Sequence, residues 1–567
     1  MKFPIGMNIR YISALTSLFL AVLLGTVDTA RAQSTWVGPA SGGEWNTAAD
    51  WSGGSVPGVG TAAIIGAGTN VSYNLPMSAS GFGVLTNEGI LNVNASGFNN
   101  TGIIMLNPGG TGKLLANNGS TVNVAGNVAF CSNSIITLSA GSTMKISGSL
   151  WVGSGSTGGS SGSTVGSFGT MTNNGGTLMT ASTALNPGNG SVSTSALLVI
   201  NGGTNNLGTV SIKRSSGTAN FTTPGTDGLA IYGGVVTMTN LNVGGPGGNS
   251  YLSALVAGGI VTNIGNVSIN QGTGGRGSRL LQTGGLFVVP DPAIINPNPT
   301  VINSLNNFSV TGGTNITGGL YFGTGANPGT INFTNSAQIY IGSQGVGSNG
   351  VVDLNMILNN GGLFGATANW TGSAAMTLFG GTFTFSPVDL NGNPHTITLS
   401  GILSGSGSLL LTNGGTLVLS APNTYSGNTT ISAGTMALGN SGGLPSGGNL
   451  TIASGGTFDL AGFSPQLGGL ATTGIVANQL ITNSSTAIAA TLIFSNGIAG
   501  SIYGGQIAGG SKPISLSLLG GNLTLSGQNN YAGNILIGNG TLALSGAGSV
   551  FSGATIVLSN SASILNL

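Results

Sequence analysis

The stretch GTLVLSAPNTYSGNTTISAGTMAL, from Gly415 to Leu438, aligns without a gap on GNLTLSGQNNYAGNILIGNGTLAL, from Gly521 to Leu544. The two lie 106 residues apart, and 13 of their 24 positions are identical. Leu417 matches Leu523, Asn423 matches Asn529, Tyr425 matches Tyr531, Gly427 matches Gly533, and Gly434-Thr435 matches Gly540-Thr541. Leu417-Val418-Leu419 reads as a short strand. Asn-x-Tyr-x-Gly-Asn reads as the turn after it, because Asn side chains bond nearby backbone and Gly admits tight bends. Strand, turn and strand within so short a stretch form a unit too small for a sandwich or a propeller blade, and it suits one coil of a solenoid.

A weaker repeat extends that reading along the chain. Gly-Gly-Thr recurs with its Thr at Thr111, Thr177, Thr204, Thr314, Thr382, Thr416 and Thr457. Four of the six gaps lie near multiples of 21 or 22, while those of 27 and 34 do not. At about 22 residues per coil the 106-residue offset is about five coils, and the exported chain makes about 24 coils in a rod of about 115 Å. Thr121–Val124, Ile135–Leu138, Leu197–Ile200 and Leu409–Leu411 are expected strands, and almost no helix is expected where Gly recurs so often.

Composition agrees and narrows the chemistry. Of 567 residues, 106 are Gly, 40% are hydrophobic and only 3% are charged, against about 25% charged in ordinary soluble domains. A basic nucleic-acid binder is excluded. The mean hydropathy of +0.36 is too high for a disordered linker. Stacking explains the deficit: identical positions of successive coils form ladders about 4.8 Å apart, so an inward charge repeated in each coil is prohibitive.

Residues 1–32 read as a secretory signal peptide. Lys2 and Arg10 precede a mostly apolar run from Ile12 to Leu24, and Ala30-Arg31-Ala32 before Gln33 is an A-x-A cleavage site. No later segment is long and apolar enough to span a bilayer as a helix. Signal removal leaves 7 basic and 8 acidic side chains, and Cys131 as the single cysteine rules out an intrachain disulfide. The expected divisions are a Trp-rich cap with the first coils over 33–95, an irregular Gly/Asn/Thr-rich solenoid over 96–395, and a solenoid with the two clear repeats over 396–567. Trp36, Trp45 and Trp51 suit a plug over the first coil, with a sugar-stacking platform as the competing reading. Pro290, Pro292, Pro297 and Pro299 mark a protruding loop, and Arg276 and Arg279 a solvated turn.

The paired stretches resemble the autotransporter-associated β-strand repeat of exported bacterial passenger domains. The copy at Gly415–Leu438 follows that family's pattern closely, Asn522 departs from it in the second copy, and GNLTIASGGTFDLAGF at Gly448–Phe463 is a looser relative. Thr35–Gly58 is similar to the start of such passengers. The resemblance implies a right-handed parallel β-helix, a structural or adhesive role, and no catalytic residues. Autotransporters end in a translocator barrel of roughly 250 to 300 residues. Here the chain stops at SASILNL, which is expected to mean truncation, release or anchoring by a partner.

The acids that could serve catalysis are Glu44, Asp50, Glu88, Asp227, Asp291, Asp353, Asp389 and Asp459. A glycosidase needs two carboxyls about 5–9.5 Å apart. Asp227, Asp291 and Asp353 are about three coils apart, and Glu44 and Asp50 fall in the cap. The single histidine, His395, is expected to be solvent-exposed in a turn, and one Cys with one His makes no conventional zinc site. No cofactor is expected. The leading reading is an all-β exported stalk or adhesin at the cell surface, touching glycans or other surface components and able to self-associate, with no nucleic acid and no transmembrane segment in the mature chain. A carbohydrate-active β-helix enzyme and a self-assembling matrix protein are the other readings.

Overall fold

Short alternating segments can bury one face only by stacking on copies of themselves, and this chain does so along its length. The computed structural model describes residues 33–567 outside 59–60, 75–81, 107–111, 131–133, 154–168, 186–195, 213–227, 244–252, 271–278, 290–299, 304–307, 323–329, 334–336, 349–354, 360, 475–477 and 496–500. Leu85–Asn87, Ile90–Val93 and Phe98–Asn100 make one coil, and Ile104–Leu106, Lys113–Ala116 and Thr121–Val124 the next. Leu85 lies beside Ile104, Ile90 beside Lys113 and Phe98 beside Val122, each pair in parallel strands. Three faces result, here termed first, second and third in that order, and the architecture is a parallel β-helix. The one helical element among the described residues is a single 3-10 turn, Ala48–Asp50, and no helix there is long and apolar enough to cross a membrane.

The core is a set of inward columns. On the second face Val71, Leu91, Leu114, Ile136, Met171, Leu198, Leu229, Ala254, Leu280 and Phe308 follow one another coil by coil. All are buried. Each large side chain of such a column contributes about 1.5–3 kcal/mol by leaving water, and its outward neighbours supply the polar half of the alternation. Asn ladders run outside: Asn92 donates to Asn70 at 2.7 Å, and Asn123 to Asn99 at 2.8 Å.

Two expectations about the period are corrected. Coils are not uniform: Leu417 is followed in its column by Met436, whereas Ile136 is followed by Met171, across nearly twice the length of chain. Thr177 lies beside Thr204, so the discordant gap of 27 is one whole coil. The segments 107–111, 131–133, 154–168, 186–195, 213–227, 244–252, 271–278, 304–307, 323–329 and 349–354 each join a first-face strand to a second-face strand. The chain length between consecutive described strands therefore varies most from the first face to the second. With longer coils the first face stacks about twenty strands, from Gln33–Thr35 to Gln506–Gly509, for a rise of about 90 Å.

The second correction concerns the paired repeats. Leu417 sits in a column running from Ile397 through Met436, Phe458 and Ile481 to Ile507. Leu523 sits in a separate four-stranded stack, between Ser501 and Leu542. The 106-residue offset is thus not a whole number of coils, and the second copy has moved to another face. Its contacts are local to neighbouring coils, so nothing ties the motif to one side of the rod.

Candidate functional site

The repeat positions turn toward the chain itself. Leu417 and Leu523 point inward and are buried. Asn423 bridges three coils: its Oδ1 accepts the Leu403 N–H at 2.7 Å, and its Nδ2 donates to the Gly443 carbonyl at 2.6 Å. Asn529 does the same, accepting from the Ile507 N–H at 2.8 Å and donating to the Ser549 carbonyl at 2.9 Å. A Cβ on Gly427 would run into the Gly407 carbonyl oxygen, and one on Gly533 into that of Ile514, so each coil approaches the last more closely than any side chain permits. Gly434 and Gly540 occupy φ of 84° and 125°, which disfavours other residues.

The two tyrosines differ in one respect. The Tyr425 hydroxyl shares a hydrogen bond of 2.6 Å with Thr429 Oγ1. In the second copy Ile535 stands at the matching position, and the buried Tyr531 hydroxyl has no partner among the described residues. Burial raises the pKa of both phenols well above the ordinary value, so both stay neutral.

At the N-terminal end Trp36, Trp45 and Trp51 are buried, and ring contacts join them to Phe82 and Phe98, with Trp45 and Trp51 centroids 4.7 Å apart. Trp51 Nε1 donates to the Trp45 carbonyl at 2.8 Å. With their faces inside the cluster these rings offer no stacking platform to a sugar.

The described acids serve the backbone or lie apart. Glu44 Oε1 accepts from Asn74 Nδ2 at 2.5 Å, and the Asp50 carboxyl packs against Gly38 and Gly43. Asp459 Oδ1 accepts the N–H groups of Ala461 and Ser484, both at 2.9 Å. Asp389 holds a turn by accepting from the Asn391 and Asn393 N–H groups and from Asn393 Nδ2; the Asn393 bonds keep its pKa below the usual carboxylate range. His395 departs from expectation. Its backbone is pinned between coils, its N–H donating to the Pro387 carbonyl and its carbonyl accepting the Thr416 N–H, and the ring is half-buried with Nε2 unpartnered among the described residues. Among the described residues no three His, Cys, Asp or Glu converge on a metal-sized site. Ala30, Ala32, Cys131, Asp227, Arg276, Asp291, Asp353 and the prolines from Pro290 to Pro299 lie outside the described residues, whereas Gln33 opens the first strand and Arg279 begins Arg279–Gln282.

The structure also holds a cleft of about 470 Å³ that the sequence reading does not predict. Its walls include Thr457, Gln479, Leu480, Gly505, Gln506 and Gln528. Thr457, Leu480 and Gln506 are lateral neighbours in three successive strands. Gln479 is 1% exposed; its Nε2 donates to the Thr473 carbonyl at 2.8 Å, and its Oε1 is buried with no partner among the described residues. A Cβ on Gly505 would stand 2.7 Å from the Gln479 carbonyl oxygen, which keeps the wall thin. Gln479, Gln506 and Gln528 are 27 and 22 residues apart, but coils run from 19 residues (Leu417 to Met436) to 35 (Ile136 to Met171), so that spacing alone does not mark them as neighbours.

The passenger-associated-transport-repeat family model matches residues 409–438, 520–543 and 535–559. The "Adhesin BmaC autotransporter" of Brucella suis biovar 1 is 33% identical over 205 residues, which is 36% of this chain and 5% of the adhesin. The chain therefore spans a small fraction of that relative's length. No solved structure matches it.

Proposed function

We propose, from its similarity to passenger-associated-transport repeats and to an autotransporter adhesin, that this chain is exported and displayed at the cell surface as a non-enzymatic stalk with adhesive contacts along its sides. The observation that carries this reading is the parallel ladder that runs from Gln33–Thr35 through most of the described chain. Stacked coils make a long, stiff body from neutral residues, with Asn, Thr and Ser available outside for hydrogen bonding to a surface. The non-enzymatic part is supported by the described acids, whose hydrogen bonds go largely to turns and neighbouring coils. The named activity of the relative, adhesion, points the same way.

Display of the chain on a non-adherent bacterium, through a heterologous translocator barrel, is expected to increase binding to host cells or glycan-coated surfaces. Release of reducing ends from a panel of polysaccharides by the purified chain, or adherence no greater than that of the barrel alone, would refute it.

A further inference from the structure

The geometry points to the cleft between Thr457 and Gln528 as a binding site for a neutral saccharide, an inference that rests on the adhesive reading and gives it a place. Among the described residues no charged side chain lines the cleft, so an anionic or cationic ligand gains nothing there. Its side-chain walls are amides and a hydroxyl, which both donate and accept, as the hydroxyl groups of a sugar do. Gln479 lines the cleft, and its amide oxygen, buried behind that wall, lacks a donor among the described residues; a ligand O–H that reached it on a small shift of the side chain would meet an acceptor otherwise unpaired. At about 4.8 Å per coil, Thr457 and Gln506 stand about 10 Å apart along the axis, so the polar groups repeat along the cleft rather than meeting at one point. The volume falls in the range of about 300–1,000 Å³ typical of small-molecule sites.

A peptide fits less well. Strand addition needs an open sheet edge, but Leu480–Asn483 is already paired on both sides, by Gly456–Asp459 and by Gln506–Gly509. Leu480 is the one large apolar side chain in the described lining, too little for an anchoring side-chain pocket.

The test is calorimetric titration of the full chain with maltose, lactose, mannobiose and chitobiose, and with an Asn-containing tripeptide as the competing class. At least one disaccharide is expected to bind with a Kd of about 1 mM or tighter. Gln506→Ala with Gln528→Ala, at two exposed positions whose change leaves the core intact, is expected to weaken binding about tenfold. Gln479→Met is expected to do likewise, while Asn123→Ala, many coils away, leaves binding unchanged. Absence of binding to all four sugars, preference for the tripeptide, or undiminished binding by the double variant would overturn the assignment. Adherence of displaying cells that survives the double variant would overturn the cleft and leave the adhesin reading standing; sugar binding by a chain that confers no adherence would do the reverse.

Discussion

Tyr425→Phe and Tyr531→Phe make the same change at matched positions of the two repeats and are expected to act in opposite directions. Tyr425 bonds Thr429, which is itself 3% exposed. Losing the phenol hydroxyl therefore breaks one bond and strands the Thr hydroxyl, at a cost of about 1–3 kcal/mol. Tyr531 has a buried hydroxyl without a partner among the described residues, because Ile535 stands where Thr429 does in the first copy. Its removal relieves a desolvation penalty of similar size, about 1–3 kcal/mol. A rod of stacked coils need not unfold in one step, so a global midpoint is the wrong measure. Hydrogen exchange followed by mass spectrometry reads each repeat separately, over peptides spanning Leu417–Leu438 and Leu523–Leu544. A change of about 1.4 kcal/mol in local opening is a tenfold change in protection. Tyr425→Phe should lower protection in the first segment about fivefold or more, and Tyr531→Phe should raise it or leave it unchanged in the second. Equal losses in both segments would refute the assignment of an orphaned hydroxyl.

Asn423→Ala removes bonds to both neighbouring coils and is expected to cost about 2–4 kcal/mol of local stability, seen as faster exchange around Leu403 and Gly443 on either side. Trp45→Ala hollows the N-terminal aromatic cluster at about 3–5 kcal/mol, and limited proteolysis should then begin in the first coils while Gly415–Leu438 stays protected. Asp389 has a folded-state pKa below its unfolded value of about 3.9, so the support its ionised form gives the turn is complete above that pH and lost as pH falls through the lower folded value. Protease cleavage within 387–395 should be unchanged between pH 7 and 5 and should rise in the Asp389→Asn variant at neutral pH.

How much of this was legible in the chain depends on whether the signal was local. Leu417 and Tyr425 announced a strand and a turn because inward Leu and buried Tyr are needed within one coil, whatever surrounds it. The strand Thr121–Val124 was recovered with its bounds for the same reason. The coil length was not legible: Thr177 and Thr204 are neighbours across a coil of 27 residues, but Leu417 and Met436 are neighbours across one of 19, so no search for a fixed period finds both. The change of face between the two repeats was hidden as well, since the motif satisfies itself against whichever coils lie above and below. Gln479 escaped notice because the residues that share its cleft, Leu480 and Gln506, are brought together by pairing across coils rather than by any pattern along the chain.

Unequal coils have a mechanical consequence. A ladder pulled from one end yields coil by coil, and each loss shortens the rod by about 4.8 Å while releasing the contour length that coil had wound up. The short coil from Leu417 to Met436 frees about 65 Å, and the long one from Ile136 to Met171 about 120 Å. Under tension the rod would lengthen in uneven steps, short between Leu417 and Met436 and long between Ile136 and Met171, so the points at which tension relaxes are written in the lengths of the coils.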